Sequence, residues 1–160
     1  MTTKKQLTSI GLDTDKTNLL AEKLNDLLAN YSVFYMNVRG YHWNIRGQKF
    51  FELHVKFEEL YNDLQLKIDE LAERILTLGH RPIHSYSVYI EKSSVKEIKD
   101  VADGNECVKG ILAALQTLLL KQRDLLELSA EADDEGTNAL MSDYIREQEK
   151  LVWMYNSFMG

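Results

Sequence analysis

The stretch HVKFEELYNDLQLKIDELAER, residues 54–74, sets His54 and Glu58 one helical turn apart, and Asp69 and Glu73 one turn apart further on. Apolar residues run through and past it at Phe50, Leu53, Phe57, Leu60, Leu64, Ile68, Leu71, Ile75 and Leu78, in steps of three and four. Such steps build a single apolar stripe along an α-helix. Gly79, with Pro82 just beyond, closes the pattern with a common stop signal. The spacing predicts one long helix carrying two short pairs of metal-ligand residue types.

Helical geometry decides what those pairs face. With about 100° per residue and His54 at zero, Glu58 falls near ~40°, Asp69 near ~60° and Glu73 near ~100°. The apolar stripe centres near ~280°, and Lys56, Asp63, Lys67, Glu70 and Arg74 lie near ~200°, where solvent is expected. The four candidate ligands therefore occupy a separate flank, shared with Gln65, Ala72 and Leu76. That mixed surface suits contact with another chain. At 1.5 Å rise per residue, His54 and Asp69 are roughly 22 Å apart along the axis, too far to share an ion. An antiparallel copy of the helix closes the gap. Across a two-fold axis, His54 and Glu58 of one chain meet Asp69 and Glu73 of the other, twice over.

Three further segments repeat the helical spacing. The first includes Leu24, Leu28, Tyr31, Tyr35 and Val38. The third runs from about Val101 through Val108, Ile111, Leu115, Leu118, Gln122 and Leu125 to Leu128. The fourth includes Met141, Tyr144, Ile145, Gln148, Leu151, Val152 and Tyr155. Gly47 sits in the short turn between the first two, and EADDEGT, residues 131–137, separates the last two. The middle connection is longer, and Ser94-Val95-Lys96-Glu97 has capping-box spacing that predicts a short extra helix there. Four long helices with one long central link describe an all-α, ferritin-like four-helix bundle. The whole chain, 1–160, reads as one such domain, preceded by a flexible N-terminus of about ten residues.

Composition narrows the function classes. Cys107 is the only cysteine, and MTTKKQLTSI lacks the apolar run of an export signal, so a reducing cytoplasm is expected. The net charge is −6, with no concentrated basic tail or patch, which argues against nucleic acid as the main ligand. Ferritin-like di-iron proteins that bind metal inside the bundle use Glu-x-x-His pairs. None of His42, His54, His80 and His84 has a glutamate three residues before it. His80 and His84 fall in the loop around Pro82, where solvated or capping roles are expected.

His42 continues the first helix's stripe four residues after Val38, and the short YHWNIRG turn should bring it beside His54. Here the pattern becomes specific. His42-Trp43-Asn44, then His54 after an interval of twelve, then Asp69-Glu70-Leu71-Ala72-Glu73-Arg74, resembles the signature of the Dps miniferritins. These are dodecameric bacterial relatives of ferritin, named for DNA-binding proteins from starved cells.

The resemblance implies an enzyme, a ferroxidase, with its centre at the two-fold interface. His42, His54 and Glu58 would come from one subunit, and Asp69 and Glu73 from its neighbour. One departure is that the family most often has aspartate where this chain has Glu58. Two iron positions are implied, with Asp69 and Glu73 as anchors, Glu73 bridging, and His54 and Glu58 serving the second position. Hydrogen peroxide is the usual oxidant, Trp43 a possible electron donor and Trp153 a more distant one. The implied product is ferric oxide in a hollow dodecameric shell, protecting the cell from oxidative damage. Asp134 and Asp143 match the spacing of acidic pore residues, with Ala139 where another acid is often found. Two rival readings have the same fold: a protein whose main task is compacting DNA, and a non-enzymatic helical scaffold.

Overall fold

The computed structural model describes residues 5–160 and consists of five helices: α1 (Thr14–Asn44), α2 (Phe50–Thr77), α3 (Tyr86–Lys92), α4 (Gly104–Glu131) and α5 (Glu135–Met159). Among the described residues there is no strand, only two isolated bridges, and no helix is long and apolar enough to cross a membrane. The fold is all-α and ferritin-like. α1 pairs with α2 and α4 with α5, α1 also packs on α4, and the short α3 lies against α1.

Local chemistry sets most of the boundaries. The side chains of Asp13, Asp103 and Asp134 cap α1, α4 and α5 by accepting from the backbone N–H three residues on. The α4 start therefore falls at Gly104, just past the Val101 that periodicity reaches. α2 stops at Gly79, whose φ of 87° lets its own N–H reach the Leu76 carbonyl while the His80 N–H reaches Ile75. The same pattern ends α4, with Asp133 at φ 55° and Asp134 donating to the Ser129 carbonyl. One residue thus closes α4 and caps α5.

The core interior follows the apolar stripes: Leu24, Phe34, Phe57, Leu64, Leu71, Ile111, Leu115 and Met141 are buried. At the middle it holds a closed polar ring. The Tyr31 hydroxyl donates to Gln122 Oε1, Gln122 Nε2 to Gln148 Oε1 at 2.8 Å, and Gln148 Nε2 back to Tyr31 at 2.6 Å. Each polar group buried there has a partner, so the ring joins α1, α4 and α5 without an orphaned donor. Beside it Tyr144 donates to Glu70; burial first, and then Glu70, pushes that phenol well above the usual tyrosine range.

Several expectations need correction. Lys67, expected on the solvated face, is only 5% exposed. Its ammonium lies 2.8 Å from Asp63 and 2.7 Å from Glu147, over the Tyr144 ring. Burial opposes its charge, but the two carboxylates outweigh that and raise its pKa. Arg74, expected beside it in solvent, reaches instead into the α4–α5 corner. Ile68, read as core, is half-buried. The extra helix also lies earlier than the capping-box spacing suggests, because Ser94 and Val95 donate their N–H groups to Asn30 of α1 instead. At the N-terminus, residues 1–4 lie outside the described residues. From Lys5 onward the segment expected to be flexible folds back: Thr14 N–H donates to Gln6 and Lys5 pairs with Asp13.

The central connection is held by three asparagines of α1. Asn25 donates to the Arg81 carbonyl and accepts from Ile83 N–H; Asn37 does the same with Lys96 and Ile98. Asn30 accepts from Ser93, Ser94 and Val95 together. Asn30→Ala takes the acceptor from the Ser94 and Val95 N–H groups, while the Ser93 hydroxyl keeps the Val95 carbonyl, and should lower the unfolding free energy by about 2 kcal/mol in urea titration. A loss within error would show that water replaces the asparagine.

Candidate metal centre

The five-residue turn between α1 and α2 brings His42, in the last turn of α1, against His54, in the second turn of α2. Each imidazole bonds to the other residue's backbone: His42 Nδ1 to the His54 carbonyl at 2.7 Å, and His54 Nδ1 to the His42 carbonyl at 2.8 Å. A carbonyl only accepts, so each Nδ1 must carry the hydrogen. In the neutral rings each Nε2 is then left with its lone pair, the state a metal ligand requires. The His42 carbonyl belongs to the last turn of a helix, where it lacks an intrahelical partner, so His54 also acts as a cap.

Aromatic packing fixes the ring planes. The imidazoles stack with centroids 3.8 Å apart and planes 13° apart. Phe50 stacks on the far face of the pair, against His54 at 4.9 Å, and Tyr61 sets its edge against His42 at 5.3 Å. Arg39 spreads over the rings of Tyr35, Trp43 and Tyr61. Tyr61 and Arg39 escaped the sequence reading, although a signal was there. Tyr61 follows His54 by seven residues, two helical turns, while Tyr35 and Trp43 flank Arg39 at four residues on either side.

The acidic members differ sharply from the other carboxylates on α2. Glu59 pairs with Lys56, Asp63 with Lys67, and Glu70 accepts from Tyr144. Glu58, Asp69 and Glu73 are exposed, and their carboxylates make no hydrogen bond or ion pair with any described residue. Three carboxylates and two Nε2 lone pairs are therefore free on one flank. The donor set, imidazole and carboxylate, suits iron. Among the described residues of one protomer, no three His, Cys, Asp or Glu side chains converge. The helical rise keeps Asp69 and Glu73 from the histidines, since His54 and Asp69 stand roughly 22 Å apart along the axis; Glu58, only one turn from His54, does not close on the histidine pair either.

The remaining candidates lie elsewhere. Arg74, adjacent to Glu73, bonds Asp134 at 2.6 Å and Thr137 at 2.9 Å. Its guanidinium lies so close to Gly136 that a Cβ there would sit 2.8 Å from it. Asp134 is buried, with its carboxylate shared between Arg74 and Thr137. Asp143 is exposed on α5 and pairs with Arg146; Ala139 is exposed one turn before it. Trp43 and Trp153 are both largely exposed. His84 bonds the Pro82 carbonyl in its loop.

A bundle of this layout belongs with the ferritin-like proteins, and residues 21–160 match the model of the ferritin-like domain. The chain is 42% identical to a DNA protection during starvation protein of Porphyromonas gingivalis, covering 97% of this chain and 98% of that one. It superposes on a Dps protein from Vibrio cholerae O1, described as a member of a broad superfamily of ferritin-like diiron-carboxylate proteins. The TM-score is 0.96 at 60% identity, over 99% of this chain and 100% of that one. A Dps protein from Bacillus brevis gives a TM-score of 0.88 at 35% identity, over 91% and 98%. The chain belongs to the Dps family.

The tautomers are directly measurable. In two-bond proton–nitrogen NMR spectra of the metal-free protein, His42 and His54 should both appear protonated at Nδ1 and bare at Nε2. A proton on Nε2 of either ring would contradict the hydrogen-bond exchange.

Proposed function

We propose that this protein is a ferroxidase and iron-storage miniferritin. It oxidises Fe(II) with hydrogen peroxide at centres shared between two-fold-related subunits, and so removes both reagents from the cytoplasm. The observation that carries the proposal is the unspent set of Glu58, Asp69 and Glu73 beside the two oriented imidazoles. Three carboxylates and two imidazoles of matching reach supply the mixed donor set that iron takes.

Apolar residues support the register independently. An antiparallel α2 pair that sets His54 opposite Glu73 and Glu58 opposite Asp69 also sets Phe51 opposite Leu76. Those two are 83% and 57% exposed in the protomer, and Val55 and Leu66 on the same side are exposed too. Large apolar side chains in a row on one flank mark a protein contact. Packed across the dimer, Phe51 and Leu76 would shield each centre from bulk water.

Within the shared centre, Asp69 and Glu73 of one subunit would anchor Fe(II), with Glu73 placed to bridge to a second ion. His42 of the other subunit would complete the tighter position through Nε2. His54 and Glu58 would serve the second position, where the extra methylene of Glu58 gives it a longer reach than aspartate. Carboxylates bind Fe(III) more strongly than Fe(II), being hard anionic donors, which favours oxidation. Two Fe(II) ions supply both electrons that peroxide needs, so no hydroxyl radical escapes. The dimers would assemble into a dodecameric shell holding the ferric product. Asp143 is the exposed candidate for an acidic entry pore, where a negative field would draw in cations; Asp134 would contribute there only if its bond to Arg74 opened.

The P. gingivalis relative is named for DNA protection. For this chain, the net charge of −6 makes shielding DNA by removing iron and peroxide the better-supported route than coating it.

Asp69→Ala and Glu73→Ala should each abolish most of the fast Fe(II) oxidation followed by absorbance. Complementation tests the sharing itself. A His54→Ala/Glu58→Ala chain and an Asp69→Ala/Glu73→Ala chain should each be inactive alone. Refolded together at random, they should recover about a quarter of the wild-type centres, because each mixed dimer rebuilds one intact site. No recovery on mixing would place the centre within one chain or elsewhere.

A further inference from the structure

We propose that Asp134 is a positioning residue for the metal centre: through Arg74 it fixes where the neighbouring Glu73 presents its carboxylate. This rests on the ferroxidase reading above, and it makes Asp134 part of the centre's frame rather than of an entry pore.

Glu73 stands near the end of α2, four residues before Thr77, and is exposed. Helix ends fray more readily than their middles. The residue that follows Glu73 is anchored outside the helix. The Arg74 guanidinium donates from Nη2 to Asp134 at 2.6 Å and from Nε to Thr137 at 2.9 Å. Two donors of one planar group on two partners fix its plane as well as its position.

Those partners are fixed in turn. Asp134 is buried, and both its carboxylate oxygens are engaged: Oδ1 by Arg74 and the Thr137 N–H, Oδ2 by the Thr137 hydroxyl. Its own N–H closes α4 on the Ser129 carbonyl. A carboxylate held by the end of α4 and the start of α5 thus grips α2 beside Glu73. Gly136 leaves room for the grip. A Cβ there would meet Nη2 at 2.8 Å, Nη1 at 2.9 Å and Cζ at 3.0 Å, all in the guanidinium. Alanine is the better helix former at such a position, so the glycine serves the guanidinium rather than α5. The imidazoles that Glu73 would face belong to another chain, and a preorganised site tolerates misplacement of only about 0.5 Å.

The test is equilibrium binding of Co(II), a spectroscopic stand-in for Fe(II), to the assembled protein. The centre's absorption is the part lost in Asp69→Ala. Asp134→Ser keeps a good cap for α5 but is too short to reach Arg74, and should weaken Co(II) binding about tenfold. Gly136→Ala alters no charge and favours α5 as a helix, yet displaces the guanidinium, and should weaken binding by a smaller factor. Asn30→Ala, which destabilises the fold at the central connection, should bind Co(II) as the wild type does. A pore changes how fast a cation arrives, not its equilibrium affinity. Unchanged affinity in Asp134→Ser or in Gly136→Ala would therefore overturn the positioning role, even if iron entry slowed. Equal weakening in Asn30→Ala would also overturn it, as an effect of general stability. A wild type with neither Asp69-dependent Co(II) absorption nor iron oxidation would instead overturn the ferroxidase reading, and this one with it.

Discussion

A straight helix keeps its ends apart. α2 runs unbroken from Phe50 to Thr77, so the histidine end and the acidic end of its outer flank are held at a fixed separation. No rotamer change in one protomer alters that, because the gap exceeds any side chain's reach several-fold. The rigidity that prevents an internal site is also what makes a shared one accurate. Two copies of one rigid ruler, laid antiparallel, would place both pairs of half-sites in register at once, because the two-fold axis makes them equivalent and one register serves both.

The charges of α2 divide along the same line. On the face toward α5, Lys67 is clamped by Asp63 and Glu147, Glu70 accepts from Tyr144, and Arg74 closes the α4–α5 corner through Asp134. These pairs are partly or wholly desolvated, where removing one partner leaves a costly unpaired charge. They act as a polar seam that fixes how α2 sits against α5. The outer flank has no such compensation inside the protomer, and its carboxylates stay available. The packing contacts and the candidate site thus draw on different faces of one helix, separated by roughly 140°, more than a third of a turn.

The architecture was legible in the sequence because apolar periodicity dominates it: the four long helices and the contact of His42 with His54 follow from spacing and a short turn. What escaped depended on neighbours that spacing does not show. Lys67 and Arg74 look solvated on an isolated wheel, and only the packed α5 supplies the Glu147 and Asp134 that draw them inward. Ser94 to Glu97 satisfies a helix-start pattern, but Asn30 takes its N–H groups from another helix altogether. Of the candidate site, the meeting of His42 with His54 was legible. The tautomers and the surrounding cage of Phe50, Tyr61 and Arg39 were not, since they arise from two helices meeting.

The bundle's centre leaves no place for an internal metal site. Where related proteins project glutamates and histidines inward, this chain sets a neutral ring of Tyr31, Gln122 and Gln148, each group satisfying the next. Such a ring needs no ion to balance it, so no charge at the bundle's centre depends on a metal for compensation. Carboxylates in its place would repel one another in a low-dielectric core until a cation arrived. On the flank, the proposed ligands would meet that repulsion only at the subunit contact, after each protomer has folded. Under the proposed reading, folding would precede assembly and assembly would precede catalysis, in an order set by where the charges are buried.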